Sequence, residues 1–180
     1  MAPSPGDQVR FLLRIQRLLG EGVFTATYKY ALLMALADLS VELGDDSGGT
    51  LEIHTERIAE KFIEYYWRQT LPYLGREALR QNKGKAPVVV TLLLQTRREH
   101  GDDIKSARRD AVKWRRVVRS AAGNIRSMPL RFLQNVGRET LPFLYDLPTG
   151  RAPSVVIGSV DGGMARSSAS ELRLRTFRRN

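Results

Sequence analysis

Between Thr27 and Leu43 the chain writes one helix with almost no polar face. Ala31, Leu32, Leu33, Met34, Ala35, Leu36, Ala37 and Leu39 surround its middle. A helix that is apolar on nearly all sides has to be covered on nearly all sides, so this pattern predicts the central helix of a small bundle. Membrane crossing is the other way to cover such a surface, but that takes roughly 20 apolar residues. This run is shorter and is interrupted by Asp38. A carboxylate buried there needs a donor. Arg57, Lys61 or a helix N-terminus would supply one, unless Asp38 simply faces solvent.

The flanking segments supply the rest of a bundle. Asp7 is the expected cap of a first helix, with Val9, Leu12, Leu13, Ile15, Leu18 and Leu19 apolar and Arg10, Arg14 and Arg17 on the other face. After the flexible turn Gly44–Gly49, Leu51 to Thr55 alternates as a very short strand. Thr55 then caps a helix over 56–69 that carries Ile58, Ala59, Phe62, Ile63, Tyr66 and Trp67. Helix, turn, strand and helix in this order resemble part of a winged-helix unit. Pro87 opens a helix over 87–98, although the β-branched run from Val88 to Val90 also suits a buried strand. A long basic helix is expected over 104–123, then a short one after Met128-Pro129. The predicted fold is mainly α: a compact multi-helix domain over 6–147 with at most one short extended segment. The Gly-, Ser- and Arg-rich residues 148–180 read as a poorly ordered or altered tail.

Charge is distributed unevenly. Residues 97–138 hold twelve Lys/Arg against four Asp/Glu, a net of +8, whereas residues 1–96 hold eleven of each. A basic helical segment of this kind calls for a polyanion or a carboxylate-rich partner. Lys105, Arg108, Arg109, Lys113, Arg115, Arg116 and Arg119 are the candidate phosphate contacts, because a helix strings such side chains along a ridge. Lys83 and Lys85 form a second candidate on a polar loop beside a predicted helix N-terminus. A solvated basic face that only aids solubility is the competing account.

Chemistry is harder to find. The absence of cysteine excludes disulfides, thiol nucleophiles and thiolate zinc sites, and suits a cytoplasmic protein. The start of the chain has no signal-peptide pattern. His54 and His100 are the only imidazoles and lie outside any metal spacing. There is no phosphate loop, nucleophile elbow or calcium loop. Glu56, Glu60 and Glu64 share a helix face at four-residue spacing and, with Asp38, could hold a divalent ion only if they converge. No catalytic residue, metal ligand or cofactor is assigned on these grounds.

The segments Phe24–Glu42 and Ile58–Gln69, with the Gln81-Asn82 loop, resemble the amino-terminal region of bacterial HNH endonuclease domain proteins. The resemblance spans about residues 6–147. In that family a carboxy-terminal nuclease module follows, similar to other ββα-metal nucleases, in which a histidine activates water and a divalent ion stabilises the phosphate transition state. Here no histidine follows His100, so no catalytic residue transfers, and the end reads as a truncated or frame-altered terminus. The resemblance implies a DNA-binding accessory domain without phosphodiester hydrolysis of its own. The alternatives are a helical protein-interaction or structural module, favoured by an exposed apolar surface around Tyr65, Tyr66 and Trp67, and a metal-dependent nuclease with an unrecognised carboxylate site.

Overall fold

The computed structural model describes residues 4–22, 27–45, 49–72, 87–148 and 154–158. Three helices open the chain: α1 (Pro5–Glu21), α2 (Tyr28–Leu43) and, after strand β1 (Leu51–His54), α3 (Thr55–Trp67). A single 3-10 turn, Arg68–Thr70, closes α3. Then follow α4 (Val88–His100), α5 (Ile104–Arg109), α6 (Ala111–Ser127) and the short α7 (Pro129–Phe132). Strands β2 (Asn135–Val136) and β3 (Glu139–Thr140) make a minimal hairpin, and β4 (Ser154–Ile157) ends the described chain. The domain is mainly helical with small antiparallel strands, as the periodicity predicts.

The central helix is α3, not α2. It packs against α2 on one flank and α6 on the other. Its buried ridge, Ile58, Ala59, Phe62, Ile63, Tyr66 and Trp67, is the middle of the core. Phe62 stacks on Tyr66 with ring centroids 5.2 Å apart. From α2 the core takes Leu32, Ala35, Leu36 and Leu39. From α6 it takes Trp114, Val117, Val118, Ala121, Ala122 and Ile125. The opposite side of α2 is left uncovered: Tyr30 is 46% exposed, Met34 51% and Val41 84%. Apolar residues all round a helix therefore do not make this one central.

Asp38 is half-buried, and its donor is the hydroxyl of Tyr65 on α3, not any of the three expected groups. That hydrogen bond is the main reason the Tyr65 hydroxyl titrates above its ordinary range. Lys61 instead pairs with Glu42 of α2 at 2.5 Å. The bond to Glu42 raises the Lys61 pKa.

Helix starts also differ from expectation. Ser4, not Asp7, caps α1, and Asp7 completes a capping box from the third helical position. His54, not Thr55, caps α3, its Nδ1 accepting from the Glu56 amide at 3.3 Å. The segment 104–123 is not one helix. Asp110 leaves helical geometry at ψ 82° and caps α6 by accepting from the Lys113 amide at 3.0 Å. A side chain that competes for backbone donors is what divides the segment. The run from Val88 is helical, and Pro87 stands just before its first turn.

Strand β1 finds its partner at the far end of the chain. β4 pairs with it antiparallel, Leu51 opposite Ile157 and His54 opposite Ser154, and Val155 is fully buried. The ordered body therefore reaches past residue 147 into the segment whose composition reads as tail. Between them, Gln134 fixes residues 143–145. Its Oε1 accepts from the amides of Phe143 at 2.9 Å, Leu144 at 2.7 Å and Tyr145 at 3.4 Å, and its Nε2 donates to the Tyr145 carbonyl at 2.9 Å. The Tyr145 hydroxyl donates to the Leu130 carbonyl at 2.6 Å. Burial pushes its pKa well up. Gln134→Ala strands these backbone groups in a buried setting and should cost about 3 kcal/mol. Urea unfolding should show a lower midpoint at unchanged slope; an unchanged midpoint would refute the clamp.

Candidate interaction surfaces

The face of α3 turned toward α5 and α6 carries Glu56, Glu60 and Glu64, one helical turn apart. Each meets a partner across the interface. Glu64 pairs with Arg108 of α5. Glu60 accepts from the Trp114 indole at 3.4 Å. Glu56 lies 3.6 Å from Arg119. The partners descend in number as the carboxylates ascend, so α3 and the α5–α6 segment run antiparallel. The three glutamates are therefore spaced rungs along an interface. Asp38 and Tyr65 lie on the other flank of α3, the one turned to α2. The convergence that a shared ion requires does not occur, and no metal-holding group of acids and histidines is found among the described residues.

This ladder sorts the sequence-predicted cations. Arg108 is half-buried, with its guanidinium 5.4 Å from the centre of the Trp114 ring. It is a packing residue as much as a surface charge. Arg119 faces Glu56, and Lys113 stands 3.8 Å from both Glu99 and Asp110. Lys105, Arg109, Arg115 and Arg116 are exposed and have no ion-pair partner among the described residues. The structure thus brings seven of the candidates onto α5 and α6 but leaves four of them uncompensated. Lys83 and Lys85 lie outside the described residues.

Two further cations are withdrawn from the surface. Arg97 is 6% exposed and donates to the Thr70 carbonyl and the Asp102 carboxylate, with its guanidinium 5.9 Å from the Trp67 ring. The Trp67 indole donates to the Asp102 carbonyl at 2.7 Å. These contacts tie the ends of α3 and α4 to the loop before α5. Lys29, also 6% exposed, donates to the Phe132 carbonyl at 3.4 Å, and burial lowers its pKa. Neither was recognisable as internal from charge alone.

Exposed apolar surface exists, but not around Tyr65, Tyr66 and Trp67. Tyr66 and Trp67 are each 4% exposed, and Tyr65 is half-buried against α2. It lies instead on the outer face of α2, where Tyr30, Met34, Ala37 and Val41 are all exposed and fall on one side at intervals of four, three and four residues. Helix α1 has a similar uncovered stripe in Val9, Leu12 and Leu13, 57–59% exposed, while Phe11, Ile15 and Leu18 turn inward. Its arginines are largely compensated, Arg10 by Asp7 and Arg17 by Glu21 and Glu139.

No helix among the described residues is long and apolar enough to cross a membrane. The chain belongs to the family described as Domain of unknown function (DUF8808), whose model matches residues 9–162. That span runs from α1 through β4. No curated protein matches the chain, and no solved structure matches it.

The pairing of Glu64 with Arg108 is part-exposed, so a double-mutant cycle with Glu64→Gln and Arg108→Met should give a coupling between about 0.3 and 1 kcal/mol. Independent, additive effects would remove Arg108 from the set of interface residues and return it to the free cations.

Proposed function

We propose that this DUF8808 member is a helical protein-interaction module whose docking surface is the outer face of α2. The observation that carries the reading is the strip of Tyr30, Met34, Ala37 and Val41, solvent-facing and free of charged side chains along three helical turns. Contiguous apolar surface on a folded domain marks a place where another surface belongs. Tyr30 gives it a side chain of the kind that anchors interfaces: large, with few rotamers and a polar tip. The inner half of α2 already satisfies the core, so the exposed part of the outer residues adds little to the stability of the isolated chain. Met34→Glu should leave thermal unfolding within a few degrees of the native protein while reducing recovery of a docking partner at least tenfold in matched pull-downs. Equal recovery of every partner by both proteins would defeat the reading.

A second reading, nucleic-acid backbone binding as part of an HNH nuclease-like assembly, is supported by the four uncompensated cations. Lys105, Arg109, Arg115 and Arg116 are exposed along α5 and α6. Four phosphate contacts imply a slope near −3.6 in log affinity against log salt, so duplex binding should weaken about 150-fold between about 50 and about 200 mM salt. Arg109→Glu with Arg116→Glu should at least halve that slope, to about −1.8 or shallower, in a fluorescence anisotropy titration. Salt-insensitive binding, or none at low salt, would reject this reading. Cleavage is not expected of this chain, because no catalytic histidine accompanies the ridge.

A further inference from the structure

We propose that the occupant of the α2 face is a second copy of this chain, docked about a twofold axis near Ala37. The inference rests on the reading of that face as a docking surface and specifies its partner.

The pattern of the strip favours self-association. Tyr30, Met34, Ala37 and Val41 follow the alternating four-and-three spacing that makes a helix–helix seam. Eleven residues over three turns keep such a strip on one side of a straight helix, roughly 16 Å long. A small residue sits near its middle. With Ala37 at the crossing, two antiparallel copies of α2 approach closely, and Met34 of one packs against Val41 of the other. A twofold contact requires this self-complementarity, in which each residue type finds its match by the same operation.

Charge favours the same partner. The chain has a net charge of +10, of which +8 lies in residues 97–138. The cations that α5 and α6 contribute to it lie on the other flank of α3 from α2, whereas Arg131 stands exposed on α7, which packs against α2. On α2 itself, Lys29 is buried, Asp38 is engaged by Tyr65, and Glu42 is engaged by Lys61. The strip itself carries no charged side chain, so two copies can meet there without opposing like charges within it. An acidic partner would be drawn to the α5–α6 ridge instead; a neutral strip selects a neutral apolar surface, which a second copy presents in matching form. Four side chains cover less than the roughly 800 Å² per partner of a standard interface, so the dimer should be weak, with Kd on the order of 10 μM.

Sedimentation equilibrium of the full chain, from about 1 to about 200 μM, reads this directly. The average mass should rise from 20.3 kDa toward twice that value. Met34→Glu with Val41→Glu should stay monomeric with an unchanged helical circular-dichroism spectrum. Because the chain has no cysteine, Ala37→Cys introduces a single thiol near the axis and should form a disulfide-linked dimer far faster than Arg116→Cys. A native chain that remains monomeric, a dimer that survives the double substitution, or equal cross-linking of the two thiol variants would each overturn the proposal. Binding of an apolar dye separates the failures. If the native chain is monomeric and Met34→Glu lowers dye binding, the second copy is wrong and the docking face stands; if dye binding does not change, both are wrong.

Discussion

The α2–α3–α6 core of this domain is registered on α3, through two polar flanks that border one buried ridge. Burial of Ile58, Phe62, Ile63 and Tyr66 supplies the driving force, which is non-directional. The flanks supply direction. On one side Lys61 and Tyr65 engage Glu42 and Asp38 of α2; on the other Glu56, Glu60 and Glu64 engage Arg119, Trp114 and Arg108. Part-exposed ion pairs of this kind contribute little stability individually. Their role is discrimination. Turning α3 by one residue, about 100°, would swing the carboxylates away from α6 and break every rung together. The hydrophobic ridge decides that the helices pack, and the flanks decide which helix lies where.

Much of this was legible in the chain as local pattern. The helices over 28–43 and 55–67 stand where apolar patterning puts them, the helix over 88–100 stands where Pro87 opens it, and β1 stands where alternation puts it. Position in the bundle was not legible. Periodicity identifies the surface of α2 that avoids water but not which molecule provides the cover, so an all-round apolar helix reads as central even when one face is left open. The cover of β1 was equally hidden, because β4 lies about a hundred residues away in a segment rich in small residues. Pairing across that distance leaves no signature in either strand. Helix caps failed for a smaller reason: neighbouring polar residues compete for the same amides. Ser4 prevails over Asp7, His54 over Thr55, and Asp110 interrupts what its neighbours would have continued.

The basic segment shows why a charge count overstates a binding site. Residues 97–138 present twelve cations in sequence. Arg97 is spent inside the fold, between Trp67 and Asp102, and Arg108 is half-buried over Trp114. Arg119 and Lys113 face carboxylates contributed by α3, α4 and the α5–α6 junction. The partners Glu56, Glu64 and Glu99 lie beyond a local reading, because they come from other elements. What is left on α5 and α6 for a polyanion is a ridge of four exposed cations and not a whole helix; of the others in the stretch, Arg98, Arg131 and Arg138 are exposed on other elements.

That subtraction also separates the two surfaces in space. The cationic ridge and the neutral strip lie on α6 and α2, which are held on different flanks of α3 and have no extensive contact with each other. Occupying one does not obstruct the other. In the twofold arrangement argued above, the α2 helices meet at the axis and each ridge remains on the far flank of its own α3. The two cationic surfaces then stay apart, so pairing does not concentrate positive charge. A long polyanion reaching both would gain from their tethering. A dimer built through α5 or α6 would instead juxtapose Arg109, Arg115 and Arg116 with their own copies, an arrangement that Coulomb repulsion opposes at short range. The same charge asymmetry that marks one flank for an anion thus marks the other as the face on which two molecules of this chain can meet.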